Sequence, residues 1–171
     1  NTYCGRLNLN FRDQWPSISG GYITYSVSYD QFLEKINSGY GIIFTGDRQG
    51  DGALSTMMIS GLYSYKLMAS QSTRIDFGIQ ATYNQTKLNW DKFVFGDQID
   101  PNSGTTGNPT MENPADWNKS VSYVDFSAGM LLGYEDKYYG GIAVYHLNEP
   151  DNGLEKVGSE SKLPMKITVH G

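Results

Sequence analysis

Two acidic stretches carry the residue types that could bind an ion. In "GDRQGDG" (46–52), Asp47, Gln49 and Asp51 alternate and Gly52 follows, which invites a calcium reading. An EF-hand loop needs Asp or Asn at its third position and Glu at its twelfth. Those positions are Gln49 and Met58 here, and the flanks read as strands. A tight Gly/Asp hairpin is the favoured reading. In "FGDQIDPNSG" (95–104), Asp97, Asp100 and Asn102 could also hold an ion. Asp-Pro and Asn-Ser-Gly are ordinary turn chemistry, and the turn is favoured.

Catalytic patterns do not emerge. There is no G-x-S-x-G elbow, no G-x-G-x-x-G and no Walker loop. His146 and His170 are too sparse for a metal site, and the single Cys4 permits no internal disulfide. Asp125 and Glu149 stand isolated, so no paired carboxylates for glycoside hydrolysis can be assigned. The sequence implies no cofactor and no enzyme. "NQT" (84–86) and "NKS" (118–120) match the glycosylation pattern and are read as chance. With 13 Lys+Arg against 18 Asp+Glu, no basic stripe is available for nucleic acid.

These residues would have to be positioned by strands. In 73–85, Ile75, Phe77, Ile79, Ala81 and Tyr83 share one face, and Arg74, Asp76, Gly78, Gln80 and Thr82 the other. In 123–134, Phe126, Ala128, Met130, Leu132 and Tyr134 oppose Asp125, Ser127, Gly129, Leu131 and Gly133. Period-two alternation of this length predicts antiparallel strands with one apolar and one wet face. About eight strands are expected, over 3–11, 21–30, 39–47, 53–66, 73–85, 121–134, 137–147 and 163–170. Several exceed the about 5–6 residues of a globular strand and reach the about 9–11 that cross a bilayer. No run approaches the about 20 apolar residues of a transmembrane helix.

The connections alternate between compact (31–38, 67–72, 135–136) and mostly longer ones (12–20, 48–52, 86–120, 148–162). An up-and-down membrane barrel has that asymmetry between its rims. The fold expected is therefore all-β, an antiparallel transmembrane β-barrel whose wet interior takes Arg74, Asp76 and Asp125. Tyr22, Tyr25, Tyr29, Tyr63, Tyr65, Tyr134, Tyr138, Tyr139 and Tyr145 lie near strand ends and could form an aromatic girdle. "RDQWP" (12–16) should leave the first strand, with Pro16 holding Trp15 extended and stopping the ladder, and with Arg12 and Asp13 pairing with each other or with neighbouring loops.

The order of motifs adds a resemblance. The landmarks are "RDQWP" with Arg12, Gln14, Trp15 and Pro16; "TYSVSYD" (24–30) with Tyr29 and Asp30; and "GDRQGDG" with Asp47, Arg48, Asp51 and Gly52. "SGLYSY" (60–65) follows, then "FGDQIDP" (95–101) with Gly96, Asp97, Gln98, Asp100 and Pro101. "YVDFSAGML" (123–131), "HLNEPD" (146–151) with His146 and Pro150, and "LPMKITVHG" (163–171) complete the set. In this order and spacing they resemble the PorP/SprF family of outer-membrane proteins of the type IX secretion and gliding machinery of Bacteroidetes.

The resemblance implies a non-enzymatic outer-membrane barrel. Its expected partners are a cognate secreted surface protein such as a gliding adhesin, other type IX secretion components, and outer-membrane lipid. It also implies a longer protein with more strands, of which residues 1–171 would be an N-terminal part forming a single barrel domain without a signal peptide. Two other readings compete: a general porin or ligand-uptake barrel, and a soluble β-rich carbohydrate-binding or hydrolytic domain.

Overall fold

A computed structural model describes residues 5–17, 20–112, 119–135, 137–154 and 161–171. The strands are β1 (Arg6–Gln14), β2 (Tyr22–Leu33), β3 (Ser38–Gln49), β4 (Leu54–Met68), β5 (Thr73–Leu88), β6 (Ile99–Asp100), β7 (Gly104–Thr105), β8 (Ser120–Tyr134), β9 (Tyr138–Tyr145) and β10 (Lys166–His170). Eight of them form one antiparallel meander in the order β1-β2-β3-β4-β5-β8-β9-β10. β6 and β7 make a small hairpin inside the long connection from β5 to β8. β1 and β10 are the two edges, so among the described residues the sheet is not closed.

Burial is inverted relative to a soluble β-sandwich. Apart from Pro150, the one buried apolar side chain among the described residues is that of Ala53, whereas Ser38, Ser60, Thr82 and Asn84 are buried. On β5 the apolar Phe77, Ile79, Ala81 and Tyr83 are exposed, and the polar Gln80, Thr82 and Asn84 turn inward. Strand register carries this pattern across the sheet. The outer row Leu9–Val27–Phe44–Ile59–Tyr83–Val124 is apolar. The inner row Asn8–Ser28–Ile43–Ser60–Thr82–Asp125 is mostly polar. A sheet that exposes its apolar face and shields its polar one is built for lipid outside and water within. The apolar outer positions of β8 run from Val124 to Tyr134, ten residue steps apart. That is about 34 Å along the strand, or about 26 Å at a tilt of about 40°, close to the about 25 Å band of a membrane barrel.

Several boundaries differ from the sequence reading. β1 runs on to Gln14, so Arg12, Asp13 and Gln14 are ladder residues opposite Thr24, Ile23 and Tyr22. Arg12 and Asp13 form no ion pair with each other, because neighbours on a strand point to opposite faces. Trp15 is left-handed (φ 59) rather than extended. The chain leaves β1 abruptly there, and the Trp15 ring sits edge-on against Tyr22 at 5.4 Å. β2 continues to Leu33, leaving a four-residue turn where a longer connection was expected. β4 runs on to Met68 and β5 to Leu88. β9 stops at Tyr145, so His146 opens a loop, and β10 begins at Lys166. Tyr22, Tyr139 and Tyr145 fall on the inner face by register and drop out of the girdle. Tyr29, Tyr40, Tyr63, Tyr65, Tyr134 and Tyr138 are exposed on the outer face toward the short-turn rim.

Candidate functional site

In an antiparallel meander successive connections alternate between two rims. Turns 34–37, 69–72 and 135–137 form one rim, and connections 15–21, 50–53, 89–119 and 146–165 the other. Four of the five motifs that carry candidate site residues reach this second, long-loop rim. "TYSVSYD" is the exception, lying within β2. There Tyr29 faces outward, its hydroxyl donating to Gln31 Oε1 at 3.0 Å, while Asp30 accepts from Arg6 Nε at 2.9 Å.

The turn of "GDRQGDG" is the hub of the rim. Three consecutive left-handed residues, Gly50, Asp51 and Gly52, reverse the chain from β3 to β4 (φ 59, 55 and 85). The Asp51 carboxylate accepts the Gly20 amide at 3.1 Å, tying the connection after "RDQWP" to this turn. Lys92 donates to the Asp51 carbonyl, and the Asn89 amide donates to the Ala53 carbonyl at 2.8 Å. Arg48 lies over Gly52, where an added Cβ would come within 3.0 Å of its guanidinium. Asp47 points inward and accepts from Thr24 Oγ1 at 2.5 Å and Gln49 Nε2 at 2.7 Å. The hairpin reading of this stretch therefore holds.

"FGDQIDP" is likewise spent on turn chemistry. Asp97, next to Gly96, accepts from the Thr110 hydroxyl at 3.1 Å and the Met111 amide at 2.6 Å. Gln98 accepts from the Phe95 amide at 3.0 Å and donates to the Asn108 carbonyl at 2.7 Å. Asp100, followed by Pro101, caps the β6–β7 turn through the amides of Asn102 and Ser103 at 2.8 and 2.9 Å. Those amides hold its carboxyl below the usual range. Trp90 stacks on Phe95 with ring centres 5.2 Å apart.

"HLNEPD" closes the ladder of β8 where β9 has ended. His146 Nδ1 lies 3.0 Å from Asp125 Oδ2 on the inner face. Leu147 N donates to the Phe126 carbonyl at 2.9 Å. The Asn148 side chain then imitates a strand residue, accepting from Phe126 N at 3.1 Å and donating to Val124 O at 2.6 Å. Pro150 is buried, and its carbonyl accepts the Leu163 amide at 3.0 Å. Thr24, Gly20, Lys92 and Asn148 are the participants that sequence reasoning missed. Strand register brings Thr24 to Asp47, whereas Gly20, Lys92 and Asn148 reach their partners from the connections, and no local pattern signals any of them.

Inside the curve of the sheet lies a cavity of about 620 Å³ bordered by seven strands from β1 to β9. The Arg6–Asp30 pair borders it, and the Arg74–Asp76 pair lies on the same inner face. No helix among the described residues is long and apolar enough to cross a membrane, so any crossing is made by strands. Residues 2–171 match the family model for "Type IX secretion system membrane protein PorP/SprF". The chain belongs to the PorP/SprF family. No curated protein and no solved structure matches it. As a PorP/SprF member it is a type IX secretion system membrane protein, and the family is not known for an enzyme activity.

Proposed function

We propose that this protein is a non-enzymatic barrel of the outer membrane that assists secretion or surface attachment of a cognate cell-surface protein such as a gliding adhesin. One observation carries the reading: the sheet exposes its apolar face and shields its polar one. Only a closed barrel lets strands cross lipid. Residues 1–171 are accordingly read as part of a barrel domain that further strands complete at the edges β1 and β10. The long-loop rim, where "RDQWP", "GDRQGDG", "FGDQIDP" and "HLNEPD" meet, is assigned to the cell exterior and to contact with the secreted partner and other type IX components. Asp47, Asp51, Asp97, Gln98, Asp100 and Asn148 are engaged in hydrogen bonds that hold the rim together, which favours a shaped docking surface over a reactive site.

The test is removal of the full-length protein followed by comparison of surface and periplasmic proteins. The reading predicts that one or a few large surface proteins leave the surface and accumulate inside, and that complementation restores them. An unchanged surface would contradict it. The cavity on the inner face favours a second reading, a diffusion porin. Liposome swelling by the reconstituted full-length barrel would support that role, and an impermeable barrel would exclude it.

A further inference from the structure

We propose that the outer face at the long-loop rim holds the phosphate of an anionic lipid headgroup. The inference rests on the sheet spanning a membrane. Register places Arg48, Ser55, Lys87 and Ser120 in one outward row across β3, β4, β5 and β8. Two residues along each strand toward the other rim lies the row Gly46–Met57–Gln85–Ser122, and two further Phe44–Ile59–Tyr83–Val124. Rows are about 7 Å apart along the strand. The face therefore passes from apolar, through mixed, to cationic within two rows, as the bilayer passes from acyl chain to headgroup.

More cations join that row. The Leu88 amide donates to the Lys119 carbonyl at 2.9 Å, which anchors Lys119 next to Lys87. Lys87 and Lys119 border a cavity of about 500 Å³ together with Ser55, Trp90 and Asp91. A Cβ at Gly52, which also borders it, would meet both the Arg48 guanidinium and the Lys92 ammonium, at 3.0 and 3.4 Å. Arg48, Lys87, Lys92 and Lys119 take part in none of the ion pairs among the described residues. Asp91 is the carboxylate within the cavity wall. In a chain of net charge −5, four such cations gathered at one corner of the surface call for an anion from outside. Lysines bind phosphate as point charges, and an indole ring beside them suits the membrane interface. The apolar rows continuous with the cations select a lipid over a soluble anion, because acyl chains can lie along them.

Native mass spectrometry of the full-length protein, purified from membranes in mild detergent, tests this. Phosphatidylglycerol should bind more tightly than phosphatidylcholine. Lys87→Gln and Lys119→Gln should each weaken phosphatidylglycerol roughly five-fold (about 1 kcal/mol), and the double variant roughly 25-fold. Lys35→Gln, at the opposite rim, should change nothing. Equal binding of both lipids, or undiminished binding by the double variant, would overturn the proposal. Full displacement of the lipid by inorganic phosphate would also overturn it, reducing the site to one for soluble anions. Heat-modifiable migration separates the two levels: variants that shift on boiling yet lose the lipid support the site, while a wild-type protein without the shift removes the spanning barrel and this proposal with it.

Discussion

The hydroxyls of Ser60 and Thr82 are hydrogen-bonded at 2.8 Å in the most shielded part of the inner face. Each is 7% exposed, while their chain neighbours Ile59 and Tyr83 look outward into the surroundings. Polar inside and apolar outside, carried along the rows from β1 to β8, is the relationship on which the functional reading stands.

Ile79 is 61% exposed on the outer face. At an exposed site of a soluble protein, Ile79→Arg would change stability by about 0.5 kcal/mol or less. Facing lipid near the middle of the band, it should cost about 2–4 kcal/mol. Urea unfolding of the full-length protein refolded in vesicles measures the difference. A cost near zero would place Ile79 in water.

Asp51 ties two rim connections together through Gly20. Asp51→Gly keeps the left-handed backbone without strain and removes only the side chain. The Gly20 amide should then exchange roughly five- to ten-fold faster, reflecting about 1 kcal/mol, while the ladder amides of β4 and β5 stay protected. Unchanged exchange at Gly20 would show the contact to be idle.

Asn148→Ala should expose the Phe126 amide and the Val124 carbonyl at the place where β9 no longer covers β8. The expected cost is about 1–3 kcal/mol of local opening, read as faster exchange at Phe126 with no change at Ser60. Equal exchange in both proteins would mean that the ladder of β8 does not depend on this side chain.

Asp100 gives a pH dependence in a loop outside the spanning strands. Its carboxyl is held below the ordinary value by the amides of Asn102 and Ser103. A lowered folded value means that the turn gains stability above the unfolded value of about 3.9 and loses it as pH falls through the lower folded value. The amide shifts of Asn102 and Ser103 should titrate with a midpoint below about 3.9. Asp100→Asn should retain the turn and abolish the titration. A midpoint at or above the ordinary value would contradict the capping account.

The alternation in 73–85 and 123–134 made both faces of β5 and β8 legible, because a strand's period survives whatever lies on either side. The hairpin at 46–52 was legible for the same local reason, since glycines flank an Asp that tolerates left-handed backbone. Residues 31–33 were not, because "QFL" shows no clear alternation and is held in β2 by pairing with Ser38, Gly39 and Tyr40. Trp15 takes a left-handed backbone despite the restriction before Pro16, and its ring packs against Tyr22, a cross-strand contact that the local sequence does not signal. The alignment of Arg48 with Lys87 in one outward row lay beyond sequence reading. Ser55 joins them, and only register places all three in one row.

The central claim is the inverted sheet. It is tested most directly by spin labels on single cysteines at Ile79, Gln80, Ala81 and Thr82, in a Cys4→Ser background of the full-length protein in vesicles. The account predicts period-two alternation: oxygen dissolved in lipid relaxes the labels at 79 and 81, and a water-soluble nickel chelate relaxes those at 80 and 82. Equal access of the nickel chelate to all four, or the opposite alternation, would contradict it.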